Sequence, residues 1–225
     1  ESRYLEFLQS YGLQSRMVIA HLRKANPPGS GCCYANTHPF EREVGGRAWV
    51  FAHNGIVPGI ENFKLGRYLP MGDSDSEWAF CLIMENIHQC ISRSGRLGDI
   101  DHTLSCLEPV ISAVNPLDEF NFLLGNGEHL FIHAHSVLHL LQRTCPRQDC
   151  DQQVILVATE PLSDEPWLGL LPNTFLVLKD GEIIRETRTQ GPASVQAWSR
   201  RKADIQEHAT TVGADESVYS STIGE

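Results

Sequence analysis

Apolar residues recur along this chain at helical spacing near the start, then as short bulky runs, then at helical spacing twice more before strand-like runs take over. Residues 2–12 read as an amphipathic helix with Tyr4, Leu5, Leu8 and Tyr11 on its apolar side and Gly12 closing it. Met17-Val18-Ile19-Ala20 has the continuous apolar character of a buried strand and predicts that Arg23 stands at a strand end. From Lys24 to Gly46 the composition turns to Pro, Gly, Ser, Asn and Cys, and Asn26-Pro27-Pro28-Gly29 stops regular structure. The prediction is one long loop carrying Asn36-Thr37-His38-Pro39-Phe40, and long loops inside compact domains commonly carry function. In residues 47–55, Trp49-Val50-Phe51-Ala52 reads as a doubly covered strand that His53-Asn54-Gly55 ends with polar, turn-forming residues.

Two turn-rich stretches, Pro58-Gly59 and Pro70-Met71-Gly72, lead to Asp73-Ser74-Asp75-Ser76-Glu77. Ser74 and Glu77 have capping-box spacing, and Trp78, Phe80, Cys81, Ile83, Met84 and Ile87 supply the apolar side of a helix. A second helix is expected over residues 100–114, stopped by Asn115-Pro116. Strands at 120–124 and 130–134 flank Gly125-Asn126-Gly127-Glu128, a hairpin signal, and 138–141 reads as a third strand. Residues 144–152 read as a polar loop, Val154-Ile155-Leu156-Val157-Ala158 as a buried strand and 159–167 as a turn. A final hairpin joins 174–178 to 182–185 through Lys179-Asp180-Gly181. This order predicts an α+β layered domain over residues 1–188 and a polar, disordered tail over 189–225.

The formal charge of −10, with no basic cluster beyond Arg200-Arg201-Lys202, argues against a nucleic-acid partner. No apolar stretch approaches the roughly 20 residues of a helical membrane span, and no signal peptide is recognisable, so a cytoplasmic protein with no membrane partner is expected. Seven cysteines without framework-like spacing point to mostly free thiols in a reducing compartment. Adjacent Cys32 and Cys33 cannot form half of a standard zinc site, and His38, His133, His135 and His139 lack partners at metal-ligand spacing, so neither a metal nor a cofactor is expected.

Arg23 offers a planar fork for a carboxylate, Asp75 an acceptor for an ammonium group, and Asn54 with the Gly55 amide two donors for an oxyanion. Together they describe a site for an α-amino acid whose side-chain carbonyl is attacked. Each has a plainer reading: Asn54-Gly55 as a hairpin turn, Arg23 as a surface residue, Asp75 as a helix cap, and His38 as part of a loop anchored by Phe40. His21 and His53 read as core residues with satisfied ring nitrogens.

The ordered series Ala20-His21-Leu22-Arg23, Asn36-Thr37-His38-Pro39-Phe40, Phe51-Ala52-His53-Asn54-Gly55 and Asp75-Ser76-Glu77 resembles the class II glutamine amidotransferases, in their stand-alone branch. The likeness continues through Phe120-Asn121-Phe122-Leu123-Leu124 and the strand at 154–162 with its Thr159-Glu160-Pro161-Leu162 ending, and so covers residues 15–185. It implies an N-terminal-nucleophile hydrolase fold, an αββα sandwich of two antiparallel sheets between helical layers. It also implies that Arg23 binds the glutamine α-carboxylate, Asn54 and Gly55 form the oxyanion hole, Asp75 takes the α-amino group, and His38 belongs to the substrate-binding set. The family's nucleophile is a cysteine at the mature N-terminus that forms a γ-glutamyl thioester.

This sequence begins with Glu1. The expectation is therefore a fragment without the first strands or the nucleophile, inactive alone, from an amidohydrolase acting on glutamine or a γ-glutamyl compound, with ammonia passing to water or to a separate partner protein. Cys32 and Cys33 are weighed as substitute nucleophiles and disfavoured because neither carries a free α-amine. The alternative function is a non-catalytic amino-acid-binding or scaffold module that keeps the glutamine pocket, and the third reading is an unrelated α+β domain with coincidental motifs.

Overall fold

The computed structural model describes residues 3–12, 14–22, 33–95, 99–145 and 152–189. Arg23, Cys32 and the tail beyond residue 189 lie outside them. Helix α1 spans Arg3–Ser10, and the chain reaches a hairpin of β1 (Phe40–Val44) and β2 (Arg47–Asn54). The Gly45-Gly46 turn joins these strands with both residues at positive φ, as a two-residue hairpin of right-handed twist requires. Helix α2 (Asp75–Ser94) ends at Gly95 in the left-handed conformation, and α3 (Ile100–Val114) begins at Asp99, whose side chain accepts from the His102 amide. The strands β3 (Asn121–Gly125), β4 (Leu130–Ala134), β5 (His139–Thr144), β6 (Gln153–Ala158), β7 (Leu168–Gly169), β8 (Thr174–Lys179) and β9 (Glu182–Arg188) follow.

The strands form two antiparallel sheets, one of six ordered β1-β2-β3-β4-β8-β9 and one of three ordered β6-β5-β7. Alternation along the central strands decides what each face meets. Trp49 and Phe51 on β2, Phe122 and Leu124 on β3, Phe131 on β4, and Phe175 and Val177 on β8 pack with Phe80, Ile83 and Met84 of α2 and Leu107 and Ile111 of α3. Their neighbours Ile132, Ala134, Leu176 and Leu178 turn the other way, onto Leu140, Ile155 and Val157 of the smaller sheet. The central strands β3, β4 and β8 of the six-stranded sheet are thus buried on both faces, which accounts for their continuous apolar runs, whereas β9 at its edge is exposed along its length.

Five expectations need correction. Residues 17–20 are not a strand: Val18 is 77% exposed, while Met17 and Ile19 lie against Gly125, which has no side chain to hold them off. An apolar run reports burial on one side, but a strand also needs a neighbouring edge, and 17–20 pairs with no strand among the described residues. Residues 40–44, expected as loop, form β1, and β6, expected as buried, is an edge strand with Val154 and Gln153 exposed. Tyr11, assigned to the apolar side of the first helix, is exposed and lies against Phe7 with the two rings tilted. Finally, Cys90 on α2 and Cys106 on α3 are joined in a disulfide with Cα atoms 6.1 Å apart, and Cys145 is also disulfide-bonded, its partner outside the described residues. Helix packing brings these cysteines together, so the thiol count no longer argues for a reducing compartment. No helix among the described residues is long and apolar enough to cross a membrane.

His133 on β4 is fully buried, with Nδ1 2.7 Å from the Phe120 carbonyl and Nε2 3.0 Å from the Thr189 hydroxyl. A carbonyl only accepts, so Nδ1 carries the proton and Nε2 accepts from Thr189. Burial holds this neutral form by lowering the pKa to about 3. The unfolded chain, titrating near 6.5, therefore binds more protons between these values, and stability is complete above about pH 6.5 and lost on acidification. Thermal and urea unfolding should show His133 costing about 2 kcal/mol at about pH 5 relative to about pH 8. In His133→Asn, which keeps a donor for Phe120 but does not titrate, the acid dependence should flatten by that amount.

Candidate active site

Strand β2 runs from Arg47 at one end of the sheet to Asn54 at the other, where it stops because the next residue leaves the ladder. Gly55 has φ of +141°, and a Cβ there would lie 1.9 Å from the Glu119 carbonyl oxygen. No side chain fits that gap, so glycine is required by contact as well as by conformation. Asn54 is half-buried and stands opposite Asn121 in register, on the face turned away from the helices. The same Glu119 carbonyl lies 3.1 Å from His53 Nε2.

The beginning of α2 meets this strand end. Asp75 Oδ2 accepts from the Val57 amide at 2.9 Å, and Oδ1 accepts from the Ser76 amide at 2.8 Å. One carboxylate thus ties the segment just after Gly55 to the first turn of a 20-residue helix, whose N-terminal dipole favours the negative charge. Among the described residues no Lys or Arg forms an ion pair with Asp75. Its remaining lone pairs can accept from a ligand cation.

Ser76, itself buried, places its hydroxyl 2.9 Å from His53 Nδ1. The carbonyl of Glu119 makes Nε2 the protonated nitrogen, so Nδ1 accepts the Ser76 hydroxyl proton. Burial lowers the His53 pKa, against the opposing pull of Asp75 and of the Glu119 hydrogen bond, and the ring is neutral. The expectation of a core histidine with both ring nitrogens satisfied is met. Behind it, the Glu119 carboxylate accepts from Asn121 Nδ2 at 2.9 Å and from the Ser136 hydroxyl, while Asn121 Oδ1 accepts from the Ser136 amide at 3.0 Å.

The loop carrying His38 is held beside α2. Asn36 accepts from the Asp73 amide at 3.0 Å and donates to its carboxylate, and a Cβ on Gly72 would lie 2.0 Å from Asn36 Oδ1. Glu77 does not close a capping box, for Ser74 makes no side-chain cap bond. The buried Glu77 carboxylate accepts instead from the Met71 and Gly72 amides, at 3.0 and 2.8 Å, and from Arg42, and so fixes the loop that Asn36 grips. The His38 ring stacks on His21 with centroids 4.1 Å apart and against Phe40 at 4.5 Å.

The structure therefore ties Asp75 to the Val57 amide, two residues beyond Gly55, and sets His38 on the docked loop, whereas Arg23 lies outside the described residues. Of the free thiols, Cys33 is exposed, and Cys81 is buried in the helical layer with its pKa pushed up to about 11 by burial, which makes it a poor nucleophile at neutral pH. The roles of Glu119, Asn121, Ser136, Asn36 and Asp73 escaped the sequence analysis. Asn121 lies within a quoted motif, but its partner Ser136, 15 residues away, carries no local signal.

Because a side chain at residue 55 must displace the Glu119 backbone, Gly55→Ala should lower unfolding free energy by roughly 2–4 kcal/mol in urea titrations. A loss below about 0.5 kcal/mol would refute the close approach.

The family model described as class-II glutamine amidotransferases matches residues 1–150. The chain is 29% identical over 197 residues to the Escherichia coli K12 protein YafJ, provisionally named a glutamine amidotransferase, covering 80% of this chain and 76% of that one. A Haemophilus influenzae protein similarly named is 32% identical, covering 80% of this chain and 65% of its own length. An uncharacterised Methanocaldococcus jannaschii protein is 31% identical, and the chain spans about half (52%) of it. Among solved structures, a Pseudomonas aeruginosa protein described as a predicted glutamine amidotransferase superposes with a TM-score of 0.63 at 30% identity, over 73% of this chain and 70% of that one. An enzyme described as the allosteric regulatory enzyme of purine biosynthesis shares the fold, with a TM-score of 0.52 at 19% identity over 76% of this chain and 35% of its own. The layered arrangement is accordingly of the N-terminal-nucleophile hydrolase type, and with a family model matching two thirds of its length this chain belongs to the class II glutamine amidotransferases.

Proposed function

We propose that the whole protein cleaves the γ-amide of glutamine or of a γ-glutamyl compound through a cysteine thioester, and that residues 1–188 form the substrate-binding part of its amidotransferase domain. The observation that carries this reading is the Asp75 carboxylate, aimed by the Val57 and Ser76 amides, without a described Lys or Arg partner, beside the Asn54-Gly55 strand end. A cation acceptor adjoining oxyanion donors suits a substrate that carries an ammonium group and a reacting carbonyl.

In this reading Asp75 receives the α-ammonium group, Arg23 the α-carboxylate, and the Asn54 side chain with the Gly55 amide the oxygen of the attacked amide, while His38 lines the binding loop. A cysteine thiolate adds to the γ-carbonyl, the C–N bond breaks, and the nitrogen leaves as ammonia after taking up a proton. Water then cleaves the thioester to release glutamate. The ammonia is lost to solvent or taken by a separate acceptor protein. A cytoplasmic site of action belongs to the same proposal and rests on the family alone.

Ammonia release from glutamine by the whole protein tests the chemistry. Activity is expected, with Asp75→Asn raising KM roughly 10–100-fold through loss of a charge-assisted contact. Calorimetry should show glutamine binding that weakens by a similar factor in Arg23→Ala. Binding without turnover would convert the reading to that of a non-catalytic amino-acid module, and neither binding nor turnover would end both.

A further inference from the structure

His53 lies on the face of β2 turned toward the helices, beneath the two halves of the proposed site rather than within them. Its ring is 2% exposed, and its two nitrogens reach different elements. Nε2 donates to the Glu119 carbonyl at 3.1 Å, the oxygen against which the Gly55 backbone lies. Nδ1 accepts from the Ser76 hydroxyl at 2.9 Å, and the Ser76 amide donates to Asp75 at 2.8 Å. One planar ring therefore spans from the backbone that shapes the oxyanion donors to the helix turn that aims the ammonium acceptor.

We infer that His53 is a positioning residue that sets the distance between the oxyanion-binding and ammonium-binding halves of the site, one through each ring nitrogen. This deepens the function proposed above and rests on it. The alternatives open to a buried polar residue are weaker on geometry. A plain core role needs no polar atoms in a layer of Phe51, Phe80 and Phe120 rings. A general base is excluded because both nitrogens are occupied by protein partners, and Nε2 must keep its proton to bond Glu119.

The two arms can be cut separately. Glutamine at residue 53 places a donor near the Nε2 position and keeps the Glu119 arm. Asparagine places an acceptor near the Nδ1 position and keeps the Ser76 arm. Steady-state ammonia release by the whole protein should show His53→Gln raising KM about tenfold with kcat within about threefold, and His53→Asn lowering kcat about tenfold with KM held within the same range. Ser76→Ala keeps the Ser76 amide bonded to Asp75 but removes both the His53 contact and the long 3.4 Å contact of the hydroxyl with Asp75 Oδ1, so it should raise KM at least as much as His53→Gln. The double variant should add little to either, as expected of two groups in one linkage.

Equal loss of kcat and KM in the Gln and Asn variants, or no change in either, overturns the inference as a merely structural role would. Should both variants fail to fold, Ser76→Ala decides alone: KM raised with kcat kept supports it, and kcat lowered with KM kept overturns it. A wild-type protein without turnover would instead overturn the proposed hydrolysis. Calorimetric binding of glutamine would then still read the ammonium arm, weakened in Ser76→Ala if the inference holds and unchanged if it fails.

Discussion

The close passage of the Gly55 backbone against the Glu119 carbonyl is the constraint on which this structure depends. With 1.9 Å between that oxygen and the place a Cβ would occupy, β2 must end at Asn54 and the chain must turn toward Val57. The turn delivers the Val57 amide to Asp75, and Asp75 in turn begins α2. A carbonyl held this way needs a donor to satisfy it, and His53 is that donor. Backbone geometry, helix placement and the protonation of one buried ring thus follow from a single contact.

Buried polar groups concentrate at this end of a sheet whose central strands are otherwise largely apolar. His53, Ser76, Glu119, Asn121, His133, His135 and Ser136 are all buried there. Partly satisfied networks of this kind are costly, and this one is closed by short bonds among Glu119, Asn121 and Ser136 and by the Phe120 backbone, which serves His133 and His135. The result is a hydrogen-bonded polar layer beside the candidate site. Farther along the loops, Glu77 and Asn36 perform the same service through backbone amides, so the His38 loop, whose one regular element is the 3-10 turn Tyr34–Asn36, is fastened to the helix start.

Hairpins were legible because their turns impose chemistry that only a few residues meet. Asn126-Gly127 and Asp180-Gly181 mark turns that the structure contains, and Gly45-Gly46 marks one that went unread because the surrounding loop composition outweighed it. The end of α3 is legible for a similar reason, since Asn115-Pro116 closes it, while the Asp99 cap at its start emerges from the structure. Residues 17–20 were misread because an apolar run looks the same whether it is hydrogen-bonded between strands or only laid across one. Glu77 was misread because capping-box spacing is a local pattern, whereas its partners Arg42, Met71 and Gly72 are set by how a loop folds back.

By itself the sequence determined the α+β order of elements, the chain's likeness to the class II amidotransferases, and the short set of polar residues worth watching, since each is written in neighbouring residues. Only the tertiary structure decided that the Asp75 carboxylate is clasped by the Val57 amide, that Cys90 meets Cys106, and that His53 bridges Ser76 to Glu119. These partners lie 16 to 66 residues apart. Contacts at such separation arise from the packing of helix on sheet, which buries the groups and compels them to find one another, and no local pattern encodes that.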